Sequence, residues 1–174
     1  TTGLCTLGLI MPTEGQIRLQ GEDVVELASG RRKKALRRKA QLIFQDPYES
    51  LNPRQTVYRA VSEAIGVHKL ADSREEKLEM VTIALEDAGL KPASGFMYRY
   101  PQQLSGGQRQ RVAIASALVL KPIYLVADEP VSMLDVSIRA EILNLLQSLR
   151  DEHNISMVYI THDLASAAYL ADRV

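Results

Sequence analysis

A chain of 174 residues with 46% hydrophobic side chains can bury a core and falls within the size of one domain. Lysine plus arginine and aspartate plus glutamate balance at 21 each, which argues against nucleic acid or an anionic membrane surface as the main partner, and the single cysteine, Cys5, excludes an internal disulfide and suits a reducing compartment. No run approaches the roughly 18 apolar residues of a membrane span and no signal peptide is visible, so any membrane association is expected to come through a partner.

In chain order, Thr2 to Ile10 reads as a helix, Pro12 to Gly15 as a turn, and Gln16 to Gln20, ending at Gly21, as a half-exposed strand. The concentrated charge of Arg31-Arg32-Lys33-Lys34 through Lys39 follows a Gly30 turn and predicts a solvated helix face or a segment near lipid headgroups, ahead of a strand over Gln41–Phe44. Helices are expected at Val57–Ile65 and Ser73–Ala88, the second with an apolar stripe of Leu78, Val81, Leu85 and Ala88 and a stop at Gly89. A third helix, Gly107–Leu120, closes at Pro122. Ile123 to Ala127 is a continuous apolar run, as in a parallel strand covered on both faces, and it breaks off into Asp128-Glu129-Pro130. Ile138, Ile142, Leu145, Leu146 and Leu149 mark one face of a helix that leads to a further strand, Ile155–Ile160, ending in Thr161-His162-Asp163. Strand, helix and strand form a βαβ unit, so Glu129 and His162 are expected at one edge of one sheet.

Two motifs carry chemistry. In Leu104-Ser105-Gly106-Gly107-Gln108, Ser105 can cap a helix and two glycines leave backbone N–H groups uncovered at its positive end, a surface suited to a phosphate. An Asp at a strand end can hold a Mg²⁺ shell and an adjacent Glu can polarise a water, although a strand end with merely solvated acids is the plainer alternative.

With these residues in view, the chain resembles the nucleotide-binding ATPase subunit of an ABC transporter. Leu104 to Gln108 is similar to the signature sequence, Leu125 to Glu129 to the Walker B strand, Ser132 to Asp135 to the D-loop, His162 to the switch histidine and Gln45 to the Q-loop glutamine. Gln45 to Arg54 and Arg99 to Gln103 further resemble the dipeptide, oligopeptide and nickel importer ATPases. The Tyr48 form of the loop is similar to the second ATPase of such heterodimers, which implies a nonidentical partner.

The resemblance implies an α/β, P-loop NTPase-like fold: a mostly parallel core in residues 1–45 and 121–174, with a helical subdomain inserted at 46–120. It also implies ATP and Mg²⁺ as cofactors. Glu129 is then the general base, His162 and Gln45 act beside it, and Thr1, Gln45 and Asp128 serve the metal. Thr1, Thr2, Ser105, Gly106, Gly107, Gln108 and Asp135 meet the nucleotide, the last five across a head-to-tail dimer. The implied partners are a second ATPase subunit, transmembrane permease subunits touched by Asp46 to Pro53, and a separate substrate-binding protein, at the cytoplasmic face of the inner membrane. Met133 and Val131 depart from the small residue and the Thr usual there. Thr1 aligns just after the lysine of a G-x-x-x-x-G-K-[ST] loop, so the chain is expected to be a piece trimmed at both ends and inactive alone. An ABC ATPase of DNA repair or translation, and a noncatalytic module, are the alternatives.

Overall fold

The computed structural model describes residues 1–29 and 32–174, with the side chains of Tyr48 and Glu49 left aside. The expected Gly30 turn, Arg31 of the basic run and the side chain of Tyr48 therefore lie outside the described residues.

Three apolar runs form one parallel sheet in the order β3-β4-β5: β3 (Ala40–Ile43), β4 (Tyr124–Asp128) and β5 (Ser156–Ile160). Leu125 lies beside Gln41 on one side and Met157 on the other. Alternate strand residues face opposite ways, and here each way leads into a core. Ala40, Leu42, Val126, Val158 and Ile160 pack with Leu7, Val24, Leu27 and Leu36, whereas Ile43, Leu125, Met157 and Tyr159 pack with the apolar faces of the later helices. That is why these strands read as unbroken apolar runs rather than as alternating ones. β3 ends at Ile43 rather than at the expected Phe44, which is 53% exposed.

The first face is covered by α1 (Thr2–Thr6), α2 (Val24–Ser29) and α3 (Lys33–Lys39). α1 stops well short of Ile10 because Gly8 turns left-handed at φ +61, with its N–H on the carbonyl of Cys5 and the Leu9 N–H on that of Leu4. A Cβ at Gly8 would lie 2.7 Å from Ala28 Cβ, so packing as well as φ requires glycine there. The strand expected over Gln16–Gln20 shrinks to β1 (Arg18–Leu19), paired with β2 (Glu22–Asp23), because Gln20 and Gly21 form the turn with positive φ. Of the basic run, α3 buries Leu36.

On the second face, α4 (Pro47–Ser50), α5 (Val57–His68), α6 (Arg74–Asp87) and α7 (Gly106–Leu118) lead to β4, and α8 (Val136–His153) and α9 (Leu164–Leu170) flank β5. Thr56, Ser73 and Ser105 each accept an N–H bond at the start of their helix, which satisfies donors the helix cannot. The stripe of α6 is shifted: Val81, Ala84, Leu85 and Ala88 are buried, while Leu78 is 41% exposed. α6 ends ahead of Gly89, at φ +78. There a Cβ would lie 2.3 Å from Arg111 Nη1, and Arg111 donates to the carbonyl of Ala88 and pairs with Glu141 at 2.9 Å. One guanidinium thus ties α6, α7 and α8 together. α7 begins at Gly106 and ends at Leu118, two residues short of the expected Leu120. α8 buries Leu143 with Ile142, Leu146 and Leu149, leaving Ile138 and Leu145 partly covered.

Candidate active site

Glu129 follows the last residue of β4 and has φ +44, a left-handed conformation that costs a residue with a Cβ roughly 1–3 kcal/mol. The surroundings hold it there. Its N–H donates to the carbonyl of Ile160 at 2.8 Å, extending the β4–β5 ladder by one bond, and its own carbonyl accepts from the N–H and hydroxyl of Ser132 at 3.2 and 3.0 Å. The abrupt bend turns the carboxylate off the sheet toward two groups from distant parts of the chain. Gln45 Nε2, 84 positions away, donates to Oε2 at 3.1 Å, and His162 Nδ1, 33 positions away, lies 3.0 Å from Oε1. Gln45 follows β3 and His162 follows β5, so the three residues are the continuations of three neighbouring parallel strands. This is the crevice at the carboxyl edge where open α/β sheets place their ligands.

His162 is itself positioned from below. The Thr161 hydroxyl accepts the N–H of Asp163, and the Asp163 carboxylate caps α9 by accepting from Ala165 at 3.1 Å.

The side chain of Asp128, the final residue of β4, makes no hydrogen bond or ion pair with another described residue. It therefore stands at the edge with its carboxylate free. No group of three or more His, Cys, Asp or Glu capable of holding a metal exists among the described residues. The described residues thus hold no dedicated protein cage, but a free carboxylate fits Mg²⁺, which keeps waters and takes phosphate oxygens for most of its shell. Thr1 and Thr2 supply hydroxyls near this edge. A Cβ at Gly3 would lie 2.7 Å from Val126 and 2.9 Å from Ile160, and Tyr124 Oη donates to Thr6, so α1 runs antiparallel to β4 with its amino end toward the carboxyl edge.

Ser105, Gly106, Gly107 and Gln108 form a separate group. The Ser105 hydroxyl accepts the N–H of Gln108 at 3.3 Å and the Gln108 side chain accepts the N–H of Ser105 at 3.1 Å, a reciprocal capping box. Gly106 faces Leu134 and Gly107 is buried against Ile138, so this helix tip sits beside Asp135, the N-cap residue of α8. A Cβ on Gly107 would come within 2.5 Å of Ile138 Cγ2, which gives that glycine a packing reason in addition to open backbone. No hydrogen bond or ion pair joins the tip to Gln45, Glu129 or His162 among the described residues. Within one chain the site residues therefore fall into two clusters, one at the sheet edge and one at the α7–α8 corner.

Sequence reasoning missed Ser132 as the brace of the Glu129 carbonyl and Asp163 as the cap that orients the His162 turn. Their signals were local: a serine three residues beyond Glu129, and an aspartate before the apolar Leu164–Leu170 segment.

The family model of the ABC transporter matches residues 1–132. Among curated proteins, the chain is 44% identical over its whole length to the oligopeptide transport ATP-binding protein AppF of Bacillus subtilis, covering 52% of that protein. It is 42% identical over its whole length to OppF of the same organism, an oligopeptide transport ATP-binding protein of which it covers 56%. The chain thus spans about half the length of the curated relatives it matches. Among solved structures, it superimposes with a TM-score of 0.82 on the ATP-binding cassette MJ0796, described as a dimer in a post-hydrolysis state bound to ADP and Pi. The two are 32% identical over 97% of this chain and 71% of that one.

Proposed function

The chain belongs to the ABC transporter family, and from that premise we propose that it is the nucleotide-binding and hydrolysing part of an ATPase that powers an importer, with peptides as the cargo class. The single observation that supports this most is the meeting of Gln45, Glu129 and His162 where three parallel strands end, beside the free carboxylate of Asp128. The peptide assignment rests on the relatives AppF and OppF.

In this reading Glu129 is the general base that takes a proton from the attacking water. Both of its oxygens are held in the described state, so His162 must exchange Glu129 for a terminal phosphate oxygen, which frees Oε1 for the water. Gln45, on the loop between sheet and helices, reports the state of the site to the segment Asp46–Pro53, which meets a permease subunit. Asp128, Gln45 and the Thr1 hydroxyl serve Mg²⁺, with Thr2 beside the phosphates. ATP with Mg²⁺ supplies the anhydride bond whose cleavage releases the energy.

The second cluster serves a partner's nucleotide. Ser105, Gly106, Gly107 and Gln108 cover the phosphates bound by a second ATPase subunit in a head-to-tail pair, and Asp135 acts across that interface. The dimeric cassette MJ0796 supports the pairing as a precedent. Residues 1–45 and 121–174 then make the nucleotide-binding core and 46–120 the helical insert. Permease subunits hold the assembly at the cytoplasmic face of the membrane, and a separate binding protein delivers the peptide.

The test uses the full-length protein that carries this chain. Titration calorimetry is expected to give ATP binding, and phosphate release is expected to rise when permease and peptide-loaded binding protein are present. Absence of ATP binding contradicts the reading. Binding with no hydrolysis under any condition leaves the noncatalytic alternative in its place.

A further inference from the structure

Arg111 lies one turn behind Gly107 on α7, and its largely buried guanidinium serves two other helices at once. Nη1 donates to the carbonyl of Ala88, the C-cap residue of α6, at 3.1 Å, and Nη2 donates to Oε2 of Glu141 on α8 at 2.9 Å. The Arg111 side chain is 16% exposed and that of Glu141 58%, so the cation is screened from water while the anion is not. A planar fork of fixed donors suits two acceptors that come from different elements, and each bond it makes is charge-assisted.

Gly107 and Arg111 are four residues apart on α7, and Ile138 and Glu141 three apart on α8, so each pair occupies one face of its helix. Gly107 is buried against Ile138 and Arg111 is bonded to Glu141, which makes two successive contacts between the same two faces. One contact between two rods leaves them free to pivot. A second, one turn away, fixes the angle. Gly107 and Ile138 therefore set where the α7 tip lies, whereas Arg111 and Glu141 set the direction in which its N–H groups point. Direction decides what a donor can do, because a hydrogen bond prefers an angle above about 150° and weakens steeply below about 120°. Asp135 caps the start of the same α8 that carries Glu141, so one ion pair aligns the tip with Asp135.

Neither Arg111 nor Glu141 makes a hydrogen bond or ion pair with Gln45, Asp128, Glu129 or His162 among the described residues. We propose that Arg111 and Glu141 are positioning residues for the α7 tip: they aim Ser105 to Gln108 at the partner's nucleotide and leave this chain's own nucleotide affinity alone. This rests on the reading of that tip as the cover of a second subunit's phosphates.

The test uses the full-length protein carrying Glu129→Gln, which holds ATP without consuming it. Titration calorimetry reads ATP affinity, and sedimentation velocity at several protein concentrations reads ATP-dependent pairing of subunits. Glu141→Ala, which removes a half-exposed side chain, is expected to raise the dissociation constant of the pair about 5-fold. Arg111→Gln should raise it about 10-fold or more. ATP affinity stays within about 2-fold in both. Glu141→Gln keeps an acceptor oxygen for Nη2 and should recover most of what Glu141→Ala loses, while Glu152→Ala, eleven residues further along α8, changes nothing. Thermal melts check that each variant is folded. Pairing as tight in Glu141→Ala and Arg111→Gln as in the background overturns the proposal and leaves the nucleotide reading standing. So does a loss of ATP affinity equal to the loss of pairing, which makes the ion pair a general brace of the fold. ATP binding without pairing in the background removes the cover and this proposal alone, whereas absence of ATP binding there overturns the nucleotide reading as well.

Discussion

His162 Nδ1 and Glu129 Oε1 are 3.0 Å apart, yet the two side chains differ sharply in exposure, at 74% and 25%. The carboxylate is fixed by its backbone and by Gln45, whereas the imidazole reaches it from outside. An exposed partner can leave at little energetic cost, since surface ion pairs contribute about 0–1 kcal/mol. The contact therefore suits a group that changes partners when a phosphate arrives.

Replacing this histidine should separate stability from turnover. His162→Ala is expected to leave the urea midpoint of the full-length protein within about 0.5 kcal/mol of its original stability, because the side chain packs against little. ATP turnover is expected to fall by about 100-fold or more. Full activity in that variant would remove His162 from the site.

At the α7–α8 corner the constraint is steric. Gly107→Ala places a methyl 2.5 Å from Ile138 Cγ2, and relieving that overlap is expected to cost about 1–3 kcal/mol in urea unfolding. Ile138→Ala in the same chain removes the obstacle, so the double variant should lose less than the sum of the two single ones. Strict additivity would mean that the two helices do not meet at this point.

His68 provides a pH prediction. Burial, then the nearby Lys34 and Arg38, hold its pKa below the ordinary 6.5. In the window between the lowered value and 6.5 the unfolded chain binds a proton that the folded chain does not, so stability falls as pH drops through it and is restored above 6.5. Lys34→Gln with Arg38→Gln should move the His68 titration, followed by NMR, upward toward 6.5. An unmoved titration would show that the charges lie too far away to matter.

Periodicity and punctuation carried the architecture: the apolar runs at β4 and β5, the cap at Ser105 and the stop at Gly89 could all be read locally. What escaped depended on packing between distant segments. Gly8 ends α1 early against Ala28, a contact invisible in the apolar run Leu7 to Ile10. Leu78 is a better hydrophobe than Ala84, yet α6 buries Ala84 and leaves Leu78 41% exposed, a choice set by where α6 meets its neighbours rather than by its own apolar pattern. At the site, the βαβ pattern places Glu129 and His162 on one edge, whereas the left-handed backbone of Glu129 and its brace by Ser132 required the third dimension. The approach of Gln45 across 84 positions followed from β3 pairing with β4, which no local pattern specifies.

The central claim is that Glu129 activates the water at this edge, and Glu129→Gln in the full-length protein tests it most directly, because an amide keeps the shape and loses the base. Phosphate release should drop by about 100- to 10,000-fold while ATP is still bound and holds two subunits together in sedimentation velocity. Turnover at the unsubstituted rate, with Gln at position 129, would contradict the account.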